Sequence, residues 1–165
     1  MDISMWQNLL DVFGKLNVAY DKATELGERK HKALVTIDMD DLAKILDEEQ
    51  LLTAKIQKLE RQRGELLTNL SKAEPAIKID SKMEDLFNLA PSRAVEERLK
   101  SLHKNLTKKV EKTIMLRDNN QILAQSALNA VKYHLNKIGG ATVEPTYGSG
   151  GNDIVTHQKK FDFKA

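Results

Sequence analysis

The sequence predicts an all-α protein. It reads as a long antiparallel helical hairpin plus a third long helix, an elongated coiled-coil-like bundle with a disordered C-terminal tail. Three observations predict it. Ile45, Leu52, Leu59 and Leu66 recur every seven residues within 38–73, the mark of an amphipathic helix with a coiled-coil seam. The composition is 30% charged and only 5% aromatic, with few Pro and Gly. Similar apolar spacing returns on both sides of that central stretch. The expected division is a helical domain over 1–138, with helices near 4–35, 39–73, 82–89 and 92–138, and a flexible docking tail over 139–165.

The first helix is expected from about Ser4 to Val35. Trp6, Phe13, Tyr20 and Leu34 share one heptad row, broken by Gly27, and Leu9, Leu16 and Ala23 share its partner row. Buried core accounts for such an aromatic stripe better than a ligand box does. Gly27 either kinks the helix or lets a neighbour approach closely. Thr36-Ile37-Asp38 reads as a turn, with Asp38 as N-cap of the next helix and Asp40 and Asp41 at the positive end of its dipole.

In the second helix Leu42, Ile56 and Leu70 form the alternate row, interrupted by Glu49 and Arg63. A helix of this length spans on the order of 50 Å and needs a cover for its stripe. The short turn makes the first helix part of that cover. Pro75 biases Glu74 away from the helical region and ends the segment. Ser81-Lys82-Met83-Glu84 has capping-box spacing and opens a short helix through Leu89, with Met83, Leu86 and Phe87 facing inward. Pro91 stops it and Ser92 caps the third helix.

In that third helix Leu99, Leu102, Leu106, Val110, Ile114, Ala124, Leu128, Val131, Leu135 and Ile138 hold helical spacing, interrupted at Arg117–Gln121. Ser92–Lys137 carries ten basic against four acidic residues, and Asp38–Glu74 six against nine. Complementarity between packed helices is the simple reading. A nucleic-acid face would need interleaved aromatics, which are missing. Gly139-Gly140 ends the helix. The remaining residues lack a helical period but contain spaced anchors, Tyr147, Ile154, Val155, Phe161 and Phe163.

Several classes are excluded or disfavoured. Net charge is +2, too close to neutral to point to nucleic acid. With no cysteine there is neither a disulfide scaffold nor a Cys-based site. The N-terminus lacks a secretory pattern, and no run approaches the roughly 18 apolar residues of a membrane span, so no membrane insertion and a cytoplasmic location are expected. His31, His103, His134 and His157 fall in no metal or triad spacing. Gly148–Gly151 is not placed between a strand and a helix, as a phosphate loop would be. Binding is expected rather than catalysis, with no cofactor and no metal.

The run KALVTIDMDDLAKILDEEQLLTAKIQKLERQRGELL resembles the FlgN family of flagellar type III export chaperones. Glu48-Glu49-Gln50 and Leu59-Glu60-Arg61-Gln62-Arg63 match its charged centre and its L-E-x-x-R. Leu116–Gln121 is similar to the family's Asn-containing stretch. Glu144-Pro145-Thr146-Tyr147-Gly148-x-x-Gly151 is similar to an E-P-T-x-Y-G-x-x-G tail signature, short of one residue before the tyrosine. The resemblance covers about residues 1–157. It implies a cytosolic chaperone that binds the C-terminal segment of hook-associated proteins, prevents premature assembly and delivers them for export. It implies a client-binding helix at Ala124, Leu128, Val131, Leu135 and Ile138. It also implies docking of Tyr147, with Pro145 and Gly148 beside it, on the cytosolic domain of the export gate. A homodimer is compatible with the uncovered stripe. The competing reading is a structural coiled-coil protein that oligomerises and has no client.

Overall fold

The computed structural model describes residues 3–74, 76–77, 82–143 and 155–157. Four helices carry the fold: α1 (Ile3–Thr36), α2 (Met39–Ala73), α3 (Met83–Phe87) and α4 (Arg93–Gly139). The three long helices lie within two residues of the expected bounds, and α3 stops two residues short of Leu89. Two three-residue strands follow, β1 (Ala141–Val143) and β2 (Val155–His157), paired antiparallel with Ala141 opposite His157. The rest of the expected tail lies outside the described residues. The chain divides into two compact units, Met1–Asp118 and Asn119–Ala165.

The α1–α2 turn is built by local chemistry. The Asp38 N–H donates to Ala33 O at 2.9 Å, closing the last turn of α1 around Ile37, whose φ is +55°. That left-handed position normally favours Gly. The Asp38 carboxylate then accepts from the Asp41 N–H at 3.0 Å and starts α2 as its N-cap. Glu74, before Pro75, leaves α2 in an extended conformation as expected.

The start of α3 differs from expectation by one residue. Its N-cap is Lys82, and the Lys82 N–H donates to Asp85 rather than to Glu84, at 3.3 Å. A lysine ammonium has no lone pair to offer the helix, so only this half of a capping box forms. Ser81 lies outside the described residues. Ser92 caps α4 as expected, its Oγ accepting from the Val95 N–H at 3.3 Å.

In the first unit, Trp6, Leu9, Phe13 and Leu16 of α1 pack with Leu59 and Leu70 of α2, Leu86 and Phe87 of α3, and Leu99 and Leu106 of α4. Leu26, Ala33 and Ile45 form a second cluster nearer the turn. The aromatic stripe of α1 is therefore core. Its later rows depart from expectation, since Ala19, Leu26 and Ala33 are buried, whereas Tyr20 and Leu34 of the expected row are only partly buried. The small Ala19 and Ala33 suit a tightly packed face. Gly27 is turned to α4, where a Cβ would come within 3.2 Å of the Leu116 Cβ, so close approach rather than a kink explains the glycine.

Contacts across α1 and α4 give their direction. Asn17 meets Leu102, Asp21 meets Lys109 and Glu28 meets Lys112, so numbers rise together and the helices run parallel. Buried Asn17 donates through Nδ2 to Phe13 O at 2.9 Å and to Leu102 O at 3.1 Å. One side chain thus fixes the register of two helices. His103 stands edge-on to Phe13 and to Phe87, 6.2 and 5.6 Å between centroids, tying α3 to α1 and α4.

The charge complementarity runs through α1. Arg29 pairs with Asp41 and Glu48, and Lys30 with Glu49, on the α2 side. Asp21 and Glu28 take Lys109 and Lys112 on the α4 side. The two breaks in the α2 seam are accounted for: Glu49 by Lys30, and Arg63 by its guanidinium over the Phe13 ring at 5.9 Å together with its pair to Glu60.

Candidate functional site

The second unit carries most of the site. From Asn119 to Ile138 the only charged residues are Lys132 and Lys137. Ala124, Leu128, Val131, Leu135 and Ile138 alternate by four and three, which puts them on one face of α4. Ala124 is partly exposed, whereas Leu128, Val131, Leu135 and Ile138 are 48%, 54%, 63% and 85% exposed. Scattered surface leucines are ordinary, but a continuous row at helical spacing is the form in which a helix offers itself to a groove or another helix.

Neighbouring polar side chains are satisfied along the same helix. Ser126 Oγ donates to Ile122 O at 2.9 Å, and Gln125 Nε2 donates to Asn129 Oδ1 at 3.0 Å. Tyr133 and His134 stack edge-on, 5.7 Å between centroids. Ile122 and Tyr133 are exposed as well and were missed from sequence, because neither falls in a heptad row with the others. Tyr147, Pro145 and Gly148 lie outside the described residues.

Perturbed titration sits elsewhere, on the exposed ion pairs of the hairpin. Hydrogen bonds from Arg29 hold the Glu48 carboxyl below its ordinary value. Asp41 and then Glu48 push Arg29 up, and Glu25 does most of the same for Lys22. Burial raises Tyr20, with a further push from Glu60. Of these, Arg29 with Asp41 and Glu48, and Lys22 with Glu48, tie α1 to α2. No set of three or more His, Asp and Glu is grouped to hold a metal among the described residues, and none of their helices is long and apolar enough to cross a membrane.

A helical scaffold with an exposed apolar row on one helix is the form that protein-binding modules take. The family model described as FlgN protein matches residues 4–153, so the chain belongs to the FlgN family, a family of flagellar export chaperones. No match was found among curated proteins or among solved structures.

Proposed function

We propose that the α4 row from Ala124 to Ile138 receives the C-terminal segment of a hook-associated flagellar protein, keeps it from premature assembly and delivers it for export. The observation that carries this reading is the row itself, four of whose five side chains are exposed. The family match supports the class of client. An amphipathic client segment would cover the row with anchors at i, i+3, i+4 and i+7. Ordering that segment offsets part of the gain from apolar burial, which leaves an affinity suited to hand-over. Tyr147, with Pro145 and Gly148, docks the chaperone on the cytosolic domain of the export gate; the tail motif alone supports this part.

The test is co-purification with a hook-associated protein. Leu128→Glu and Val131→Glu each abolish binding and leave helical content intact. Normal binding by both variants puts the client elsewhere. Tyr147→Ala spares client binding and impairs gate docking; equal loss of both activities ends that division of labour. A chain that sediments as a dimer, with the row protected and no affinity for the client, supports the structural coiled coil instead.

A further inference from the structure

A second surface lies wholly within the first unit. An open groove of about 430 Å³ is lined by Leu10, Gly14 and Val18 of α1 and by Leu102 of α4. Its rim carries Lys15, Lys55 and Arg98, one from each long helix, against a single carboxylate, Asp11. We propose that this groove receives an acidic amphipathic helix of a partner protein, with its apolar edge on Leu10, Gly14 and Val18 and its carboxylates on Lys55 and Arg98.

Three observations point to that occupant. Leu10, Gly14 and Val18 are spaced by four, the ridge that one helix offers another when helices pack. The ridge has a notch at its centre. A Cβ built on Gly14 would meet nothing within 4 Å, so no contact inside the chain requires glycine there. A mid-helix glycine still costs about 1 kcal/mol against alanine. Bare backbone in the lining of a groove is where a second helix can come close. Val18, beside the notch, is 64% exposed.

Charge selects among partners. Asp11 is already paired with Lys15 at 2.6 Å, whereas Lys55 and Arg98 are exposed and in no ion pair among the described residues. Arg29, Lys30, Lys109 and Lys112, by contrast, each reach a carboxylate of a neighbouring helix. Lys55 and Arg98 reach none among the described residues. An acidic helix supplies the missing carboxylates, and a basic one is repelled.

The experiment uses the full chain and a fluorescein-labelled helical peptide of about 18 residues, with Leu and Ala on one face and Glu along its flanks. Anisotropy is expected to show saturable binding. Lys55→Glu combined with Arg98→Glu weakens it at least tenfold. Gly14→Leu fills the notch and does the same; leucine favours a helix, so this variant melts at or above the parent temperature, which separates a blocked groove from an unfolded chain. The peptide with Lys in place of Glu does not bind. The proposal is overturned if the Glu peptide fails to bind, or binds both variants as well as the parent chain. It is equally overturned if a sequence-scrambled peptide or duplex DNA competes as well as the Glu peptide, which would make the groove a generic anion surface. A dimer that Gly14→Leu dissolves also overturns it, by making the occupant a second copy.

Discussion

The two ends of α4 follow one pattern and meet opposite fates. Leu99 and Leu106 are buried against α1, α2 and α3, while Leu128, Val131, Leu135 and Ile138 stand open to solvent on the same helix. Apolar periodicity therefore reports a face and is silent on what covers that face. Within 93–118 the stripe comes with Lys109 and Lys112, each matched to an acid of α1. From Asn119 to Ile138 charged residues thin out to Lys132 and Lys137, and the row is flanked mostly by Gln, Ser, Asn and Ala. Part of this helix packs into the scaffold, and the apolar row of the other part is exposed.

The largest expected effect tests that contrast by truncation. Leu99→Ala removes about 3 kcal/mol of stability in urea unfolding, as a fully buried leucine should. Leu128→Ala changes it by less than about 0.5 kcal/mol. Similar losses at the two sites would break the distinction.

Next comes the tie that holds the buried half in register. Asn17→Ala removes the bond that crosses to the Leu102 carbonyl and costs about 1 kcal/mol by thermal or urea unfolding. A smaller gain is expected at the hairpin tip. Ile37 is β-branched, left-handed and 76% exposed, so Ile37→Gly relieves strain, loses little burial and raises stability by about 0.5 kcal/mol.

The smallest effect concerns pH. The Glu48 carboxyl is held below its ordinary value of 4.5 by Arg29. A depressed carboxyl stabilises the fold above its unfolded value and loses that contribution as pH falls through the depressed one. The advantage of the parent chain over Glu48→Gln in melting temperature should therefore be present at neutral pH, shrink below about pH 4.5 and weaken with salt, since the pair is exposed. An advantage that grows in acid would contradict the assignment.

Much of the fold is legible in the sequence because its boundaries rest on local chemistry. Asp38, Ser92, Glu74 before Pro75 and Gly139-Gly140 act on the residues next to them, so the long helices fall where they were expected. What depends on distant partners was not legible. Asn17 reads as an ordinary polar residue until Leu102, 85 positions away, supplies its acceptor. The buried row of α1 shifts to Ala19, Leu26 and Ala33 because packing against α2 sets which side turns inward. The charge match through α1 is invisible when α2 and α4 are compared with each other. At the candidate site, the row from Ala124 to Ile138 came from the family resemblance and its spacing, whereas its exposure needed the structure. Ile122 was missed because it lies off that row.

Hydrogen–deuterium exchange on the full chain, with and without the C-terminal segment of a hook-associated protein, tests the contrast and the proposed site together. Slowed exchange over 122–138 with no change over 93–110 is the expected result. Protection over 93–110, or none anywhere in α4, would contradict it.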